Sequence, residues 1–172
     1  LSRPFVGAVA VVLLAACASV PVLPGARTGG PQKVAVVLGG GGARGFAHVG
    51  VLRELEKEKV PIDLIVGVSV GSLVGALYAD NANTFDLEWK AFQIEKKHIF
   101  DLGLLNLRGG SLAKGDAIRE YIDKNIKARN IEDLKVPMAI VAVDLRTGAR
   151  EVFTRGPLRE AICASAAIPG VF

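Results

Sequence analysis

The sequence predicts an α/β protein built on a mainly parallel sheet, and three observations predict it. An apolar run, Val34 to Leu38, passes into Gly39-Gly40-Gly41-Gly42-Ala43-Arg44-Gly45. A second apolar run, Leu64-Ile65-Val66, passes into Gly67-Val68-Ser69-Val70-Gly71. A stretch of helical pattern follows each glycine segment. Strand, helix, strand, helix in that order implies parallel strands joined by right-handed crossovers. Both strand C-termini then lie at one edge of the sheet, roughly 5 Å apart if the strands are neighbours. Open α/β sheets bind ligands at that edge.

Residues 1–16 stand apart from this pattern. They carry one charge, Arg3, ahead of an uncharged apolar stretch from Phe5 to Ala16. That stretch is too short for a bilayer span, which needs roughly 20 residues, and it reads as a secretory signal peptide. It ends in Leu14-Ala15-Ala16-Cys17, which resembles the lipobox of bacterial lipoproteins. Cys17 is then the expected lipidation site and the anchor to a membrane. Ala18 follows it where an aspartate would resemble an inner-membrane retention signal. The expected location is the bacterial cell envelope, at the outer membrane rather than the inner. Residues 17–32 contain Pro21, Pro24 and Pro31 without apolar periodicity and read as a tether. Residues 33–172 form the single folded domain.

Within that domain, Lys33 to Leu38 reads as a buried strand. Arg44 to Lys59 reads as a helix with Val49, Leu52 and Leu55 on one face, ended by Val60-Pro61. Leu64 to Val66 is a second buried strand. Val70 to Ala79 is a helix apolar nearly all round, the pattern of a buried helix. Phe85 to Phe92 reads as a helix with Trp89 on its apolar side, and Leu102 to Leu112 as a loop. Asp116 reads as the N-cap of a helix carrying Ile118, Tyr121, Ile122 and Ile126. Val136 to Val143 is a strand that Thr147-Gly148 turns into Glu151 to Thr154 as a hairpin. Pro157 reads as the first residue of a last helix.

Composition bounds the chemistry. The formal net charge of +4 includes Arg3 and is too small to argue for nucleic acid. The two cysteines are Cys17 and Cys163. With Cys17 acylated, no disulfide is expected. No cofactor and no metal is expected.

The two glycine segments carry the chemistry. Gly67-x-Ser69-x-Gly71 between a strand and a helix matches the nucleophile-elbow pattern. Gly67 and Gly71 leave room for the tight turn, and Ser69 would sit at a helix N-terminus that favours negative charge. Ser72 lacks the flanking glycines and reads as structural. Gly40-x-Gly42-x-x-Gly45 formally matches a dinucleotide fingerprint, which wants an acidic residue near the end of the second strand. Asp63 lies at that strand's start, the wrong end. No Gly-Lys-[Ser/Thr] follows, so a P-loop is also excluded. The remaining reading is an oxyanion hole made of the N–H groups of Gly40, Gly41 and Gly42. Arg44, in the first helical turn, opposes the helix dipole, so a lipid phosphate or a structural carboxylate is expected to fix it. His48 and His98 both read as structural.

These residues resemble bacterial patatin-like phospholipases. The glycine loop with His48-Val49-Gly50-Val51-Leu52 and the segment from Gly67 to Gly71 carry the likeness. Val143-Asp144-Leu145-Arg146-Thr147-Gly148 and Ala164-Ser165-Ala166-Ala167-Ile168-Pro169-Gly170 are similar to later blocks of that family. The resemblance covers about residues 33–172. It implies a three-layer α/β/α fold, here incomplete at the C-terminus. It implies a Ser–Asp dyad in which Ser69 attacks an ester carbonyl of a phospholipid or related lipid. The family's aspartate lies in an Asp-Gly-[Gly/Ala] motif after the Ile-Pro block, and these 172 residues contain no Asp-Gly. The sequence-level expectation is a chain that stops before its base and is inactive by itself. Asp144 sits in a different block, which opens a hairpin. The alternative is a non-catalytic, membrane-anchored lipoprotein that binds a nucleotide or a partner.

Overall fold

The computed structural model describes residues 33–96 and 111–167. Four strands form one sheet in the order β1 (Ala35–Leu38), β2 (Leu64–Val68), β3 (Met138–Val143) and β4 (Arg150–Phe153). β1, β2 and β3 run parallel, and β4 returns antiparallel to β3. The two glycine-ended strands are therefore direct neighbours. Five α-helices accompany them among the described residues: α1 (Ala47–Lys57), α2 (Val70–Asn81), α3 (Thr84–Lys96), α4 (Ser111–Asn125) and α5 (Leu158–Ala166). This mixed, mostly parallel sheet with its helices is an α/β/α arrangement.

α2 is the centre of the core. Every residue from Val70 to Ala79 is buried, as a helix apolar all round must be. It lies on the sheet face made by Leu38, Ile65, Met138 and Ile140, all buried. α1 and α3 pack against it, and α5 packs against β3. The opposite sheet face is apolar too. There Val37, Val143 and Val152 remain 68%, 59% and 50% exposed. Sequence reading makes β1 a buried strand, but Ala35 and Val37 are exposed. β1 is an edge of the described sheet, and its helices cover the other face.

Other elements also depart from expectation. The helix expected from Arg44 is split. Gly42–Phe46 is a 3₁₀ turn, and the α-helix starts at Ala47. Gly41 and Gly42 take φ of 151° and 56°, outside the α region, so the chain tightens before it can propagate a helix. Arg44 is therefore in a 3₁₀ turn rather than in the first turn of α1, and the expected conflict with the α-helix dipole does not arise. Trp89 is 61% exposed and Phe85 is 82% exposed. α3 turns Thr84, Leu87 and Ala91 inward instead, because small and aliphatic side chains fit against α1 and α2. α4 starts at Ser111, which makes Ser111 and Leu112 helical. Asp116 is then inside the helix, exposed and paired with Arg119 at 3.0 Å. A capping residue yields where good helix formers precede it and an i,i+3 partner follows. The rest of the expected 102–112 loop lies outside the described residues. Pro157 is the N-cap of α5, with ψ of 114°, rather than its first helical residue.

Ile118, Tyr121 and Ile122 form one buried face of α4, as their spacing predicts, and Ile126, one residue past the helix end, is buried as well. The Tyr121 hydroxyl donates to the Lys90 carbonyl at 2.8 Å and ties α4 to α3. Burial, and secondarily the Asp86 carboxylate, pushes the Tyr121 phenol well above its usual value. The folded state thus holds that proton more tightly than the unfolded chain. Its contribution to stability is complete below about pH 10 and is lost as pH rises further. Tyr121→Phe is expected to cost about 1 kcal/mol at neutral pH and to flatten the alkaline decline. Urea unfolding at pH 7 and pH 11 measures both.

Candidate active site

The site begins with register. Leu38 pairs with Gly67, so the chain leaves β1 and β2 at the same level. Gly40 thereby comes to lie beside Ser69. A Cβ placed on Gly40 would be 3.4 Å from Ser69 Cβ and 4.0 Å from its Oγ. Ser69 itself has φ 55° and ψ −126°, a conformation that L residues rarely adopt. Such strain costs on the order of 1–3 kcal/mol and gathers at functional turns. The two flanking glycines follow from close approach. A Cβ on Gly71 would fall on the Leu38 carbonyl oxygen, and one on Gly67 would lie 2.9 Å from the Gly71 oxygen. The turn is thus wedged between the end of β1 and the first turn of α2.

Both backbone polar groups of Ser69 are fixed. Its carbonyl accepts from the Ser72 N–H at 2.8 Å and from the Ser72 hydroxyl at 2.6 Å. This is the structural role expected for Ser72, which is fully buried. The Ser69 N–H donates to Ser165 Oγ at 2.8 Å. Among the described residues, no acceptor takes up the N–H groups of Gly40, Gly41 or Gly42. Gly40 and Gly41 are exposed to solvent and Gly42 partly so. Free N–H groups beside a strained serine can hold developing negative charge.

The glycine loop is also anchored. His48 Nε2 lies 2.9 Å from the Gly39 carbonyl oxygen. A carbonyl only accepts, so the proton is on Nε2 and that nitrogen is no base. His48→Ala is expected to slow reaction of Ser69 with a fluorophosphonate roughly 3- to 10-fold, the scale of one hydrogen bond. Labelling time courses measure it. Arg44 is exposed, and no structural carboxylate pairs with it among the described residues. Asp63 accepts the Val34 N–H at 2.7 Å, at the start of β1 and far along the strands from the glycine loop. Asp144 is used in the β3–β4 turn. Its Oδ1 accepts from the N–H groups of Arg146 and Thr147 at 2.7 and 3.2 Å. Among the described residues, no side chain hydrogen-bonds to Ser69 Oγ. Cys163 is free and half-buried, and burial pushes its thiol up. No group of three or more His, Cys, Asp or Glu among the described residues could hold a metal ion. Cys17 and His98 lie outside the described residues.

Fold and turn together define an α/β protein with a strained Gly-x-Ser-x-Gly turn between a parallel strand and a buried helix. The sequence model of one family, described as patatin-like phospholipase, matches residues 36–172, and the chain belongs to that family. It is 37% identical over 142 residues to patatin-like phospholipase domain-containing protein 6 of Homo sapiens, covering 81% of this chain and 10% of that protein. It is 34% identical, with the same coverages, to neuropathy target esterase sws of Drosophila persimilis. An uncharacterized NTE family protein of Mycobacterium bovis is 35% identical over 145 residues, covering 84% of this chain and 40% of that protein. The chain therefore spans well under half the length of these relatives.

Proposed function

We propose that this chain carries the nucleophile side of a serine acyl hydrolase for phospholipids or related lipid esters. Ser69 is the nucleophile. Gly40, Gly41 and Gly42 form the oxyanion hole, with Gly67 and Gly71 shaping the elbow. The observation that carries the reading is the close approach of Gly40 to a strained Ser69, in a loop whose N–H groups have no acceptor among the described residues. Ser69 Oγ attacks the ester carbonyl, the loop N–H groups hold the oxyanion, and the alcohol leaves. Water then releases the acyl group. The proton acceptor is an aspartate of an Asp-Gly-[Gly/Ala] motif, which these 172 residues do not contain. Residues 1–172 alone are then inactive. Asp144 is no substitute, because its carboxylate closes the hairpin turn. Arg44, exposed at the rim of the loop, suits a lipid phosphate.

The same proposal gives the chain a signal peptide at residues 1–16 and an acylated Cys17, with residues 17–32 as the tether. Lipidation would hold the enzyme at a bacterial membrane, in the outer envelope, beside its substrate. Fluorophosphonate labelling of the full-length protein tests the nucleophile. Label should enter the wild type and be absent from Ser69→Ala. Labelling that survives that substitution sinks the assignment.

A further inference from the structure

We infer that Ser165 is a positioning residue for the nucleophile, a step that rests on the assignment of Ser69. The inference starts from the β2–β3 ladder. The Ile65 N–H donates to the Pro137 carbonyl at 2.9 Å. Parallel ladders repeat every two residues on each strand. With Val68 paired to Val141, the Ser69 N–H would be the next donor and the Val141 carbonyl its acceptor. The two groups meet at a side chain instead. Ser165 Oγ accepts from the Ser69 N–H at 2.8 Å and donates to the Val141 carbonyl at 2.6 Å. A hydroxyl has one proton and two lone pairs. Its proton is committed to Val141, so a lone pair is left to face Ser69.

The hydroxyl therefore takes the place of one rung. That insertion lets β2 leave the sheet at Ser69 with both the Ser69 N–H and the Val141 carbonyl still paired. It also holds the nucleophile by its N–H, where Ser72 holds it by its carbonyl. The carbonyl of Ser69 is fixed by Ser72 and its N–H by Ser165, so the residue with φ 55° cannot relax toward an ordinary strand. A further consequence concerns charge. The N–H of Ser69 is occupied and is not a donor for the oxyanion, while free N–H groups of the glycine loop stand beside it. Ser165 reaches this position from near the C-terminal end of α5, 96 residues from Ser69.

The test compares Ser165→Ala, Ser165→Thr and Ser165→Cys in the full-length protein. The readouts are fluorophosphonate labelling rate, and kcat and KM on a short-chain ester. Ser165→Ala leaves a donor and an acceptor unpaired and should lower labelling rate and kcat by roughly 10- to 100-fold, with KM within about threefold. Ser165→Thr keeps the hydroxyl and should recover most of that loss. Ser165→Cys, a weak donor of similar shape, should fall between the two and serves if the alanine variant does not fold. A Ser165→Ala or Ser165→Cys enzyme that labels and turns over within twofold of wild type overturns the inference. So does a threonine variant no better than alanine. Ser69→Ala run alongside separates the two assignments. Label lost in Ser69→Ala but retained in Ser165→Ala refutes only the positioning role. Label retained in Ser69→Ala refutes the nucleophile beneath it.

Discussion

Ser69→Ala is expected to abolish ester hydrolysis by the full-length protein, a loss on the order of 10⁴- to 10⁶-fold in kcat. A covalent mechanism has no second route once the attacking oxygen is gone. Stability should hardly change, since alanine keeps a Cβ and so keeps the strain at φ 55°. Ser69→Gly separates the two effects. It should be equally inactive and more stable by about 1 kcal/mol, because glycine adopts this backbone freely. Steady-state kinetics and urea unfolding on the three proteins check both statements. A Ser69→Gly variant no more stable than Ser69→Ala would show that the turn is not strained in solution.

Gly71→Ala should be the most damaging single methyl in the described core. The new Cβ would fall on the Leu38 carbonyl oxygen and come 2.6 Å from the Leu38 carbonyl carbon and 2.7 Å from the Gly39 oxygen. These are backbone atoms, so no rotamer change relieves the overlap. Either β1 or the first turn of α2 must move. The expected cost is about 3 kcal/mol, at the upper end of overpacking effects. For a domain of this size, that is a fall in Tm of about 6–12 °C. Activity should fall with it, because Gly39 leads into the glycine loop. Gly50→Ala is the control. A Cβ there meets nothing within 4 Å, and Gly50 lies inside α1. It should stabilise by about 0.5–1 kcal/mol through helix propensity alone. A Gly71→Ala protein that unfolds within 0.5 kcal/mol of wild type would falsify the wedge geometry.

Much of this molecule is legible in local sequence. Strand-glycine-helix units repeat, and a helix apolar all round declares itself buried, as α2 is. The apolar run at Val136 to Val143 and the Thr147-Gly148 turn announce the β3–β4 hairpin, which the structure contains. Misreadings arise where tertiary neighbours outvote the local signal. Trp89 is apolar, but α3 must fit Leu87 and Ala91 against α1 and α2, so Trp89 turns out. Asp116 is a good cap, but the helix already begins at Ser111. Val36 and Val37 read alike, yet only Val36 packs against the core, because helices of the described chain cover one face of β1.

The sequence by itself determined the patatin-like α/β class, the two glycine turns and the serine within the second of them. Those are properties of a few consecutive residues, and short-range sterics enforce them. Tertiary structure alone decided which groups touch that serine. Parallel register brought Gly40 to it, and α5 carried Ser165 to its N–H. The same geometry bound His48 to the glycine loop and kept Asp144 in its hairpin. Such contacts join distant segments through strand pairing and helix packing, and no local pattern encodes the distance from a backbone N–H to a hydroxyl 96 residues away.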